Sequence, residues 1–94
     1  MSKQSLLFCA SEVYPFAKTG GLADVAHSLP RVLQENYDVQ VVLPLYSSID
    51  REKFSILALQ NSFVIDMNGI KYDIELFRST YGCGIYIYLL HPTL

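Results

Sequence analysis

The sequence predicts an α/β fold: a Rossmann-like, mostly parallel sheet carrying one antiparallel β-hairpin. Three observations support this. An apolar run, a segment of helical period and a second apolar run succeed one another between residues 5 and 43. Two alternating segments flank Asn68-Gly69. A last apolar run, IYIYLL, occupies residues 85–90.

Taken in order, residues 5–10 (SLLFCA) are continuously apolar, which suits a strand buried on both faces of a parallel sheet. Residues 11–21 (SEVYPFAKTGG) break the pattern with Pro15 and a glycine pair and read as a loop. From Leu22 the period is helical. Leu22, Val25, Ala26, Leu29, Val32 and Leu33 recur at three, four and seven and predict one apolar face. Asp24 lies in the first turn, where a carboxylate suits the helix dipole. Asn36 is a candidate C-terminal cap, and Pro30 predicts a kink or a break. Residues 38–43 (DVQVVL), closed by Pro44, complete a βαβ unit whose strands lie parallel.

Residues 44–53 read as a loop or a short helical turn, and residues 54–59 (FSILAL) as a short strand. Asn68-Gly69 is the preferred type I′ hairpin turn between residues 62–67 and 70–77. That turn places Met67 opposite Ile70, Ile65 opposite Tyr72 and Phe63 opposite Ile74 on one apolar side. Asp66 then faces Lys71 on the polar side, so the hairpin belongs at a sheet margin. Residues 85–90 read as a central strand. No helix follows it before the last residues, His91-Pro92-Thr93-Leu94, so the fold reads as interrupted there.

Composition narrows the function. Ninety-four residues make one small domain or part of a larger one. Hydrophobic residues form 51% and charged residues only 17%, which implies surface meant to be covered. A net charge of −2 without a basic run excludes phosphate-backbone binding, so no nucleic-acid partner is expected. Cys9 and Cys83 sit in apolar runs and read as buried free thiols; no CxxC or His/Cys cluster offers a metal site. The N-terminal apolar run is too short for a signal peptide and no run can span a bilayer, so a cytoplasmic protein with no membrane partner is expected.

The segment with chemical content is Ser11 to Val25. It joins the carboxyl end of the first strand to the first helix, where ligands bind in open α/β sheets. Gly20 and Gly21 permit close approach to the backbone, the helix start favours an anion, and Lys18 adds a positive charge. These features describe a phosphate cradle, or equally a tight turn beside a solvated lysine. The run is neither a P-loop nor GxGxxG.

Lys18-Thr19-Gly20-Gly21-Leu22-Ala23-Asp24-Val25 resembles the KTGGLADV signature of the glycogen/starch synthases. Ser11-Glu12, Tyr14-Pro15-Phe16, Ser28-Leu29-Pro30, Val42 to Tyr46 and Gly82-Cys83-Gly84-Ile85-Tyr86 resemble the family in the same order. The resemblance implies a two-domain GT-B glycosyltransferase, with residues 1–94 an incomplete N-terminal, acceptor-side domain and the C-terminal donor domain absent. It implies retaining transfer of glucose from ADP-glucose, sometimes UDP-glucose, to the non-reducing end of an α-1,4-glucan such as glycogen. It implies no cofactor and no metal, with positive side chains and helix dipoles stabilising the leaving diphosphate. Carried over, Lys18 contacts the donor's phosphate or glucose, Gly20 and Gly21 offer N–H groups to the diphosphate, and Asp24 and Glu12 match acidic positions near donor and acceptor. No catalytic residue falls within this segment. The alternatives are a stand-alone nucleotide- or glycan-binding module and a GT-B transferase using another sugar nucleotide.

His27 falls on the polar side of the helix and reads as solvated or locally hydrogen-bonded. Among seven tyrosines, Tyr72, Tyr86 and Tyr88 read as sheet residues, while Tyr14 and Tyr46 lie in loops at the ligand end.

Overall fold

A computed structural model describes residues 3–79, 81 and 84–93. The elements are β1 (Gln4–Cys9), α1 (Gly21–Leu33), β2 (Tyr37–Pro44), β3 (Ile56–Met67), β4 (Ile70–Ser79) and β5 (Tyr86–Thr93). The strands form one five-stranded sheet in the order β1-β2-β5-β4-β3. β1, β2 and β5 run parallel. β4 joins β5 antiparallel, and β3 joins β4 antiparallel at the margin. The βαβ unit and the central position of the last strand thus agree with the sequence.

Register sorts the side chains into two faces. Phe8 pairs with Val41, Val41 with Ile87, Leu43 with Leu89, and Leu89 with Phe77. These residues share the face under α1 and form the core with Val13, Phe16, Ala26, Leu45, Ile49, Phe54 and Ile56. The opposite face carries Leu7, Leu57 and Tyr86, each more than half exposed.

The hairpin register is the expected one: Met67 opposite Ile70, Ile65 opposite Tyr72, Phe63 opposite Ile74 and Asp66 opposite Lys71. Asn68 and Gly69 both take positive φ, 55° and 81°, as a type I′ turn requires. Asp66 acts within the turn, its Oδ1 accepting from the Gly69 N–H at 3.0 Å. The two strands expected at residues 54–59 and 62–67 are one strand, irregular between Ala58 and Ser62 where Gln60 takes φ 58°. An irregularity of this kind bends a strand without ending it. Residues 44–53 hold turns and no helix. Asp50 Oδ1 accepts from the Glu52 and Lys53 N–H groups there, both at 3.1 Å.

Four expectations are corrected. The helix buries Ala23, Ala26 and Pro30, while Leu22, Val25, Leu29 and Val32 stay exposed. Apolar residues cover about half of the helix circumference at 100° per residue, and the sheet takes the flank of small side chains, which lets the backbones approach. Pro30 does not break α1. Its ring is fully buried, and only three helical residues follow it, so tertiary contact outweighs the lost donor. The helix caps at Gln34 rather than Asn36, with Gln34 N–H on Pro30 O and Asn36 N–H on Leu33 O, both at 3.0 Å. Cys9 is an exposed free thiol because it alternates to the face away from α1; Cys83 lies outside the described residues.

Candidate functional site: a glycine-pair loop at the carboxyl end of β1

The loop between β1 and α1 leaves the sheet where Ala10 N–H donates to Val42 O at 3.0 Å. Two apolar side chains then anchor it. Val13 is 1% exposed and Phe16 6%, and Phe16 packs at a tilt against Phe54 with ring centroids 4.8 Å apart. Val13 and Ala17 form an isolated bridge, and Tyr14-Pro15 between the two anchors is a cis peptide. The loop is also tied to the helix it precedes. Tyr14 N–H donates to Ala23 O at 3.0 Å, and His27 Nδ1 lies 3.0 Å from Tyr14 O. The carbonyl only accepts, so Nδ1 carries the proton. His27 is thus a local hydrogen-bonding residue, its ring edge-on to Tyr14 at 5.4 Å.

The polar residues of the loop lie above these anchors. Lys18 Nζ meets Asp24 Oδ1 and Oδ2 at 2.9 and 2.8 Å, with about half of each side chain exposed. The same ammonium lies 5.8 Å from the Tyr14 ring centroid. Glu12 Oε2 accepts from the Thr19 N–H at 2.6 Å and from the Thr19 hydroxyl. Tyr46, in the turn after β2, donates its hydroxyl to Ser11 O at 2.8 Å and so fastens the two loops together. Between them lies an open groove of about 640 Å³ lined by Glu12, Lys18, Thr19, Tyr46, Ser47 and Ser48, among others.

Gly20 caps α1 with no side-chain hydrogen bond, so no side chain covers the N–H groups of the first turn. Gly20 is extended, at φ −165° and ψ −163°, which any residue adopts. A Cβ placed on Gly20 or on Gly21 would meet nothing within 4 Å. Neither packing nor backbone conformation within this chain therefore requires the glycine pair.

The structure thus brings Glu12, Lys18 and Asp24 together with the open helix start at Gly20 and Gly21. It also gives each carboxylate a partner inside the loop. Asp24 neutralises Lys18, and Glu12 holds Thr19. Thr19 escaped sequence reasoning because its link to Glu12 spans seven positions of irregular chain, where no periodicity signals a contact. Among the described residues, no three His, Cys, Asp or Glu side chains are grouped to hold a metal. The arrangement can hold an anion at a helix start beside one cation.

Comparison with known proteins gives the family. The family model described as the starch synthase catalytic domain matches residues 5–94. The glycogen synthase of Finegoldia magna is 40% identical over 86 residues, covering 90% of this chain and 18% of that protein. That of Geotalea uraniireducens is 43% identical over 86 residues, with the same two coverages. The catalytic domain of starch synthase IV from Arabidopsis thaliana, bound to ADP and acarbose, superposes with a TM-score of 0.86 at 26% identity, covering 99% of this chain and 19% of that one. The chain thus spans about a fifth of the length of these relatives. No helix of the described residues is long and apolar enough to cross a membrane. With nearly its whole length matched, the chain belongs to the starch synthase catalytic domain family.

Proposed function

We propose that the chain is the N-terminal, acceptor-side segment of a glycogen synthase of the two-domain GT-B type. Such an enzyme transfers glucose from ADP-glucose to the non-reducing end of an α-1,4-glucan with retention, in the cytoplasm. The observation that supports this most is the glycine pair: nothing inside the chain requires it, yet it opens an uncapped helix start beside Lys18. Space kept clear at a positive helix end suits the diphosphate of a sugar nucleotide. The relative bound to ADP and acarbose, a nucleotide and an oligosaccharide analogue, accords with these two ligand classes. In this reading Lys18, Gly20 and Gly21 face the donor, and Asp24 holds Lys18 until phosphate takes its place. Lys18 is balanced by Asp24, so most of the charge that stabilises the leaving diphosphate comes from outside these residues. Glu12 serves the site from behind Thr19.

The test is glucose transfer from ADP-glucose to glycogen, with UDP-glucose as competitor. It is run on an intact synthase carrying this segment, on its Lys18→Ala variant and on the 94-residue chain. The reading expects activity from the intact enzyme alone and a fall of about tenfold or more on losing one charge-assisted phosphate contact at Lys18. Normal turnover of Lys18→Ala at low donor concentration would remove Lys18 from the site. An inactive intact enzyme whose N-terminal segment still binds ADP would favour a binding module.

A further inference from the structure

Glu12 enters the site as an acidic residue near the ligands, yet its contacts point inward. One carboxylate oxygen, Oε2, accepts from both the N–H and the hydroxyl of Thr19. Thr19 directly precedes Gly20, where the extended backbone turns into the helix. Holding the Thr19 amide fixes the Lys18–Thr19 peptide plane, and so the backbone that carries Lys18 and leads, one residue later, into the glycine pair. The loop base at Val13 and Phe16 is immobilised by the core. The rim at Lys18 and Thr19 is exposed; there Asp24 and the Tyr14 ring hold Lys18, and the Glu12 carboxylate holds Thr19.

Resting on the donor-cradle reading above, we propose that Glu12 is a positioning residue: through Thr19 it sets the pose of Lys18, Gly20 and Gly21 toward the donor diphosphate. It does not itself contact the donor. A hydrogen bond to a charged acceptor is stronger than a neutral one, and a cradle assembled before binding spares the ligand the cost of ordering it. Glu12 therefore acts on donor affinity, and it acts only through its Thr19 partner.

The experiment is a double-mutant cycle in the intact synthase carrying this segment, with ADP-glucose and glycogen as substrates. The expected result for Glu12→Ala is a rise in the KM for ADP-glucose of about tenfold, the scale of one lost hydrogen bond to a charged group. The KM for glycogen and the melting temperature should stay at the parent values. Glu12→Gln, which keeps an acceptor for the amide, and Thr19→Val, which removes the hydroxyl, should show part of that rise. Thr19→Ser should restore the parent KM, and Glu12→Ala with Thr19→Val should match Glu12→Ala alone. Additive losses, an effect of Glu12→Ala on the glycogen KM alone, or no change in Glu12→Ala would each overturn the proposal. Lys18→Ala run alongside separates the two levels. If it is impaired and Glu12→Ala is not, only the positioning role fails. If Lys18→Ala is itself unimpaired, the donor-cradle reading fails first.

Discussion

Replacing Gly21 should separate folding from function, because the structure assigns the two effects opposite signs. A methyl group at Gly21 meets nothing within 4 Å, and the residue is the first of α1. Gly21→Ala therefore adds no clash and restricts only the unfolded chain, a stabilisation of about 0.4–1 kcal/mol. The same methyl stands at the open helix start. If it displaces one N–H contact to a phosphate, the loss is about 1.5–3 kcal/mol, the range for a hydrogen bond to a charged group. At about 1.4 kcal/mol per factor of ten this raises the donor KM by roughly 10- to 150-fold. Gly21→Ala should lie at the lower end and Gly21→Val, with its branched side chain, at the upper. The assay is ADP release from ADP-glucose and glycogen by an intact synthase carrying each variant, with urea unfolding of the chain in parallel. An unchanged donor KM in Gly21→Val would refute the cradle. A lowered urea midpoint in Gly21→Ala would show that the glycine serves the fold after all.

Two further outcomes concern the scaffold beneath the site. Leu89 is 0% exposed in the central strand β5, and Leu89→Ala should cost about 2–5 kcal/mol, seen as a lower urea midpoint at constant slope. Ser79 is 1% exposed; its hydroxyl donates to Phe54 O at 2.6 Å and accepts from the Tyr81 N–H at 3.0 Å. Ser79→Ala leaves both backbone groups without that partner and should cost about 1–3 kcal/mol by the same measurement.

The features legible in the sequence are those where one residue type has one physical use. Asn68-Gly69 demands positive φ twice, and the whole hairpin register follows from it. The apolar run at residues 85–90 marked the central strand β5, whereas the run at residues 5–10, read as buried on both faces, forms the end strand β1 of the sheet, where Leu7 and Cys9 are exposed. The helix misled for a related reason. Its apolar residues cover two adjoining flanks, and periodicity does not say which flank meets the sheet. Ala23, Ala26 and Pro30 are small enough to bring α1 close, and Leu22, Val25, Leu29 and Val32 are left outside. The excess of apolar residues, read as surface to be covered, corresponds to that flank and to the sheet face bearing Leu7, Leu57 and Tyr86. At the candidate site, the motif singled out Lys18, Gly20, Gly21 and Asp24 but did not give the bonds among the loop residues. The tie between Glu12 and Thr19 and the lean of His27 on Tyr14 depend on how an irregular loop closes.

The anchoring of the loop by Val13 and Phe16 has a consequence for how such a sequence drifts. Phe16 lies in the core against Phe54 and stands two positions before Lys18. A change at Phe54 acts on Phe16, and through it on the segment that carries Lys18. Stability and the pose of the Lys18 loop are therefore coupled at this corner of the molecule. Selection for one, in nature or in a laboratory library, will draw the other along unless Phe16 and Phe54 change as a pair.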